Sequence, residues 1–142
     1  MPIKIMKSTT ITPKQHYLLR INRGEEVITE LTKFCQENKI FSGSFYGIGA
    51  CGEAELGHYS VATKQYSKQT FTGEYEVTNL TGIITDKKIH VHATLADNKF
   101  QTHAGHLARM VISGACEIHL IAGSEPVSRK FDEETGLELL DI

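Results

Sequence analysis

One segment of this sequence has the periodicity of a helix, and most of what surrounds it has the character of β-strand. The apolar residues of that segment recur at helical spacing, at Val27, Ile28, Leu31, Phe34 and Cys35. We expect Asn22 to cap this helix, with Glu25 reaching back to the cap, and Asn38 to end it. One long helix among many strands predicts an α+β fold dominated by antiparallel sheet.

The predicted strands are residues 16–22, 40–59, 64–72, 75–85, 89–93 and 115–122. Within the second of these, glycines predict two strands joined by a bulged turn, and we expect Gly73 and Gly114 to interrupt pairing. Residues 107–111 fit either a short helical turn or a strand. Residues 1–15 fit either a loose arm or an edge strand, with Pro13 ending any element there.

A glycine string in the second strand segment resembles a dinucleotide-binding loop. Gly47, Gly49 and Gly52 match the pattern G-x-G-x-x-G. That motif belongs between a strand and a long helix, whereas residues 53–59 here are typical of another strand. We therefore interpret these glycines as places where two backbones approach closely, and we predict no nucleotide site.

Four of the seven histidines lie in one short stretch. His90 and His92 are two apart on a predicted strand, so their side chains point to the same face. A polar turn at 97–99 separates them from His103 and His106. If one of these returns beside the strand, three imidazoles surround one point, which is the ligand count of an open zinc-type site. The alternative is a set of hydrogen-bonded core or interface histidines.

Length and charge limit the classes of function. We expect 142 residues to form one domain, 1–142. A net charge of −2 and a pI of about 6.4 argue against broad, non-specific binding to nucleic acid. Four lysines could still form a weak basic strip or simply a solvated surface, namely Lys64, Lys68, Lys87 and Lys88.

Cysteine usage points to a reducing compartment. Cys35, Cys51 and Cys116 are odd in number, are widely spaced and form no C-x-x-C pair, so we expect free thiols and a cytoplasmic protein. Cys51 stands beside glycines, and we interpret it as a small buried residue rather than a reactive thiol. No signal peptide or membrane span is evident in the sequence.

The order of several motifs resembles the PPC domain family, which is named for its conservation in plants and prokaryotes. The matching segments are 19–27, 48–57, 73–82, 89–92 and 105–107. The third is similar to the family's Gly-x-Phe-Glu-Ile-x-x-Leu-x-Gly signature, and the last two to its His-x-His and Gly-Gly-His-Leu pair. The tail at 129–137 fits bacterial members. The resemblance spans residues 16–140, and the combination is specific although each motif alone is weak.

The resemblance implies a curved, mainly antiparallel β-sheet with one helix packed on it, assembled as a homotrimer. It also implies a divalent transition metal, zinc first, because some single-domain prokaryotic members resemble metal proteins. Carried over by motif, the ligands are His90, His92 and His106. The family's double glycine is Ala104-Gly105 here, which predicts a displaced turn before His106 and leaves His103 as the alternate ligand.

Two functions follow from these observations. The first is a trimeric metal-binding protein whose site is open to water or a small-molecule ligand; as an enzyme of unknown substrate it would need a general base, for which Glu76 is the candidate. The alternative role for Glu76 is a structural carboxylate. The second function is a DNA-binding or regulatory module without catalysis. The acidic pI disfavours it, and so does the lack of the AT-hook through which plant members bind DNA.

Overall fold

Residues 5–142, which a computed structural model describes, form one helix and seven strands. The elements are β1 (Pro13–Asn22), α1 (Val27–Glu37), β2 (Gly43–Ser60), β3 (Gln65–Ile84), β4 (Ile89–Ala96), β5 (Thr102–Gly123), β6 (Arg129–Asp132) and β7 (Leu137–Leu140). Within this range every strand pairing is antiparallel. The predicted α+β class with a mainly antiparallel sheet and one helix is confirmed.

The main sheet curves until two of its strands meet. Its order is β1-β5-β2-β3-β4, and the first five residues of β5, 102–106, also pair with β4. A straight strand as long as β5 would extend roughly 70 Å, far more than the radius of gyration of about 14 Å expected for a domain of this size. Register shifts in the pairing of β2 with its neighbours bend the long strands.

Glycines bend or crowd these strands without ending them. Gly73 lies inside β3 with φ +142°, and Gly114 lies inside β5, so neither glycine ends a strand. The expected interruption of pairing does occur at both, because the register against β2 shifts there and neither glycine has a cross-strand partner among the described residues. The turn predicted within residues 40–59 is wrong, because β2 runs through it. A Cβ on Gly49 would lie 2.4 Å from the Ala115 carbonyl oxygen, which confirms the close backbone approach and leaves no nucleotide loop there.

The helix begins later than predicted, and a different carboxylate caps it. Glu26 occupies the N-cap, and its side chain accepts hydrogen bonds from the backbone N–H groups of Ile28 and Thr29. The same carboxylate also accepts the Met110 N–H at 3.0 Å, which ties the helix start to β5. The predicted contact from Glu25 to the Asn22 N–H exists at 2.7 Å, but it closes the preceding turn.

The core lies between α1 and the face of the sheet that the helix covers. The helix buries Val27, Leu31 and Cys35, and the strands contribute fully buried side chains such as Leu80 and Ile118. All three cysteines are buried and free, and burial raises the pKa of each thiol to about 11. This agrees with the interpretation of Cys51 as a packed, unreactive side chain.

The chain before the helix divides into an irregular segment and an edge strand. Residues 5–12 have no regular secondary structure, and β1 begins at Pro13, so this proline opens a strand instead of ending one. The first part of the predicted arm, 1–4, lies outside the described residues. In the part of the chain that the structure describes, no helix combines the length and the apolar character needed to cross a membrane.

The opposite face of the sheet, here called the outer face, carries five histidines, namely His16, His90, His92, His106 and His119, and several exposed apolar side chains. The strand registers align two rows across it: His16, Ile121, Ser44, Ile83 and His90, and then Leu18, His119, Tyr46, Thr81 and His92. Leu18, Tyr46 and Ile48 are each more than half exposed. This face therefore combines imidazoles with apolar surface.

Candidate metal centre

His90 and His92 project from the same side of β4. The residues that alternate with them, Val91, Ala93 and Leu95, are buried in the core. The two imidazoles therefore lie on the outer face, with their Nε2 atoms 3.2 Å apart. This is the arrangement expected for an alternating strand whose apolar side chains all face the core.

His106 reaches the same point from β5, as the direct cross-strand partner of His92. It lies inside the strand, which begins at Thr102, so the turn predicted just before it is wrong. Ala104 causes no displacement, because it pairs regularly with β4. Gly105 is the position that tolerates no side chain, since a Cβ there would lie 2.7 Å from the Gly57 carbonyl oxygen.

Together His90, His92 and His106, the three-histidine group, offer one nitrogen each within 4.8 Å of one another. Their ring centroids are 5.0, 5.2 and 5.7 Å apart. Three imidazoles that bind one ion at about 2.0–2.1 Å must bring their nitrogens slightly closer than this, which side-chain rotation can achieve. The Nδ1 atom of His106 is buried without a hydrogen-bond partner among the described residues. An unsatisfied ring nitrogen in such a group suits a metal ligand.

Burial and neighbouring cations favour the neutral forms of His90 and His106. Burial lowers the pKa of His90 to about 4, and the charges of His106, His92, Arg129 and Lys88 act in the same direction. Burial also lowers the pKa of His106, as do His92, Lys88 and Lys68. Neutral imidazole is the form that binds metals, so at neutral pH these side chains are ready to ligate.

His103 does not join the three-histidine group. It pairs with buried Leu95 and therefore points to the opposite side of the strand. Its ring packs on Phe71 with centroids 4.7 Å apart, and its Nε2 lies 3.4 Å from Asp97 Oδ2. Asp97 also accepts the backbone N–H groups of Lys99 and Gln101, so His103 helps to brace the turn between β4 and β5.

Glu76 is separated from the histidines along the direction of the strands. Its partner on β4 is Ala96, whereas His92 pairs with Thr81. Five residues of β3 separate the two levels, which is roughly 16 Å at the ordinary rise of a strand. Glu76 instead lines a cavity of about 350 Å³ together with Ile48 and others. Its carboxylate therefore does not contact the histidines of its own subunit.

The four lysines do not form one free basic strip. Lys64 donates to the Glu133 carbonyl of the β6–β7 connection, and Lys68 forms an ion pair with Glu55 at 3.1 Å. Lys88 lies instead in the turn that leads into β4 and acts on the three-histidine group. These three lysines therefore have separate local contacts and form no continuous strip.

Sequence reasoning missed two features of the outer face. Arg129, in the tail, acts electrostatically on His90, and nothing in the local sequence connects the two. His16 and His119 form a second pair, with 2.9 Å between Nε2 and Nδ1, and Tyr46 stacks on His119. Strand alternation predicts which face each histidine occupies, but only the register of β1 against β5 brings them together.

A cavity at the edge of the outer face adjoins the row that runs from His16 to His90. Its volume is about 420 Å³, and it lies between residues 8–13 and the sheet. Its lining is mainly aliphatic, with Ile11, Ile83 and Ile121 among the contributing side chains, and includes no ionisable side chain. Neither His16 nor His90 contributes to this lining.

Fold and site together define an α+β protein with a candidate three-histidine metal centre. The sequence profile of the Plants and Prokaryotes Conserved (PCC) domain, also written PPC, matches residues 9–123. The chain belongs to this family. A comparison with curated proteins gave no significant match.

Solved structures of similar proteins share nearly the whole fold. A metal-containing protein from Archaeoglobus fulgidus is 30% identical, with a TM-score of 0.88, over 95% of this chain and 99% of its own. A protein from Bacteroides thetaiotaomicron provisionally described as DNA-binding is 34% identical, with a TM-score of 0.86, over 94% and 98%. A PPC protein from Pyrococcus horikoshii is 27% identical, with a TM-score of 0.87, over 96% and 98%.

Proposed function

We propose that this protein binds one divalent transition metal ion through His90, His92 and His106. The observation that carries the proposal is the convergence of three imidazoles from two paired strands on one point of the outer face. The similar protein from Archaeoglobus fulgidus is described as metal-containing, which supports the same conclusion.

The donor set fits a metal and narrows its identity. Three neutral imidazoles suit zinc, copper, nickel or iron, and zinc is the first candidate because three protein ligands are typical of its open sites. An ion bound in this way supplies Lewis acidity at a position open to water or a small ligand. The chain's own contribution is to hold His90 and His106 neutral by burial and to keep all three imidazoles on a pair of hydrogen-bonded strands.

The same proposal includes a homotrimer in a reducing compartment, the cytoplasm. Exposed apolar side chains on the outer face, among them Leu18, Tyr46 and Ile48, would lose contact with water in an assembly. The rows of the outer face continue from this apolar surface to His90 and His92, so assembly would also shield the metal centre. The three free buried cysteines support the reducing environment.

Elemental analysis tests the proposal most directly. The protein is purified without a metal-affinity tag, dialysed against metal-free buffer and analysed by inductively coupled plasma mass spectrometry. We expect about one equivalent of a single transition metal per chain. A metal content near zero, combined with no uptake of added zinc by calorimetry, would falsify the proposal.

DNA binding is the second candidate, favoured by the provisional description of the Bacteroides thetaiotaomicron protein. The net charge of −2 and the engagement of Lys64 and Lys68 oppose it. We expect gel-shift assays at physiological salt to show no complex at nanomolar protein. Tight binding that weakens steeply with added salt would favour the DNA function instead.

A further inference from the structure

Lysines from two elements border the three-histidine group. Lys88 lies two residues before His90 and acts on both His90 and His106. Lys68 is aligned with His106 through Gly57, which is the cross-strand partner of each. Lys68 is already paired with a carboxylate of β2, whereas no carboxylate of the described residues pairs with Lys88.

A third cation, Arg129, approaches from β6. The backbone N–H of Asp86 donates to the Val127 carbonyl at 2.8 Å, which fixes the start of the tail beside the turn that precedes β4. Arg129 follows two residues later, and its charge contributes to the lowered pKa of His90. The tail thus places a permanent positive charge close to the turn that precedes β4.

Arg129 also holds an unsatisfied hydrogen-bond donor. One of its Nη atoms donates to the Glu138 carbonyl at 3.0 Å, which fixes the side chain against β7. Its Nε is buried and has no partner among residues 5–142. A buried N–H without an acceptor is costly, and a guanidinium presents Nε and the neighbouring Nη as a fork that matches an oxyanion.

We propose that Arg129, assisted by Lys88, makes the three-histidine group a binding site for a small anion bearing a carboxylate or phosphate group. The anion would accept hydrogen bonds from the free edge of the Arg129 guanidinium and reach the ion that the histidines hold. This inference rests on the proposed metal function. It adds to that function the class of ligand, because a site bordered by cations binds anionic molecules more tightly than neutral ones.

Cobalt-substituted protein provides the test, because the visible spectrum of Co²⁺ changes when a ligand enters its coordination sphere. The metal-free protein is loaded with Co²⁺ and titrated separately with acetate, with inorganic phosphate and with imidazole as a neutral ligand. We expect saturable spectral changes with at least one of the two anions. The anion with the higher affinity identifies the head group that the site prefers.

Substitution of Arg129 separates anion recognition from metal binding. We expect Arg129→Gln to weaken anion binding at least about tenfold, because a charge-assisted contact is lost, and to leave imidazole binding unchanged. Arg20→Gln is the matched control, since Arg20 contacts Asn22 on the far edge strand and its loss changes the net charge equally. It should bind both anions like the wild type.

Arg129→Lys keeps the test decisive if the glutamine variant does not fold. Lysine retains the charge but not the planar fork, so we expect a smaller loss of anion affinity in the same direction. The inference is overturned if neither anion alters the cobalt spectrum of the wild type, or if the folded Arg129 variants bind anions as the wild type does. A wild type that binds no Co²⁺ would instead reject the metal function on which the inference rests.

Discussion

The two faces of the main sheet have different chemistry. The covered face contributes aliphatic side chains that are almost entirely buried beneath α1, such as Leu31 on the helix and Leu80 on β3. The outer face carries histidines, an aromatic side chain and exposed aliphatic groups, such as Tyr46 and Ile48, and little of it is buried in one chain. The difference indicates that stability comes from the first face, whereas the proposed metal binding and assembly would use the second.

The outer face itself contains two histidine clusters that are not equivalent. In the three-histidine group, a buried nitrogen of His106 has no partner, and burial lowers the pKa of His90. In the pair formed by His16 and His119, the two rings bond to each other, and neither ring has a buried nitrogen without a partner among the described residues. Of the two clusters, only the three-histidine group therefore holds a buried, unsatisfied nitrogen in the part of the chain that the structure describes. The two clusters should respond differently to substitution.

His92→Ala should remove most of the bound metal, because it deletes one of three ligands and leaves two. The fold should persist, since His92 is exposed and contributes nothing to the core. Metal content by mass spectrometry and far-ultraviolet circular dichroism measure the two effects. His119→Ala is the matched control and should keep its full metal content. Equal loss in both variants would show that the two clusters do not differ as the structure indicates.

Leu31→Ala should lower the free energy of unfolding by about 2–5 kcal/mol, because it leaves a cavity at a fully buried position of the helix. The folded fraction should still bind metal, since the histidines lie on the other face. Urea denaturation followed by circular dichroism gives the value. Lys33→Ala, on the exposed side of α1, should change stability by less than about 0.5 kcal/mol.

Ile48→Asp should break the proposed trimer, because it places a charge within the exposed apolar part of the outer face. Light scattering after size-exclusion chromatography should show the mass falling about threefold, from trimer to monomer. Val61→Asp alters an equally exposed apolar residue in the β2–β3 turn and should remain trimeric. A wild type that is monomeric at micromolar concentration would contradict the trimer itself.

Acidification should destabilise the metal-free protein through His90. The pKa of His90 is about 4 in the folded chain, below its ordinary value of 6.5, so the unfolded chain binds the proton more readily between these values. Stability from this group is complete above pH 6.5 and declines as the pH falls towards 4. The melting temperature should therefore fall by a few degrees over this range, and by less in His90→Gln. An identical decline in both proteins would contradict the assignment.

The pH at which the metal is released should also reflect the lowered pKa of His90. The ordinary imidazole pKa predicts release below about pH 6. Because burial keeps His90 neutral to about pH 4, release should begin at a lower pH than an exposed histidine site would show. The zinc content retained after dialysis at stepped pH measures the midpoint.

Local pattern was enough to predict the class of fold and part of the site. Apolar spacing located α1, and alternation around Val91 placed His90 and His92 on one face, because side chains two apart on a strand must share a face. The strand boundaries were predicted less well. A glycine such as Gly73 weakens a strand in isolation, and β3 continues through it because β3 pairs with β2 on both sides of the register shift there.

The sequence by itself determined that one face of β4 carries two imidazoles and that the apolar side chains of its other face pack in the hydrophobic core. Which further side chains complete the site was decided by the tertiary structure. Register selects His106 over His103, because a shift of one residue would exchange the two faces of β5. The approach of Arg129 depends on where the tail packs, and the distance of Glu76 depends on the level at which β3 meets β4. These are contacts between residues distant in the chain, and local spacing carries no information about them.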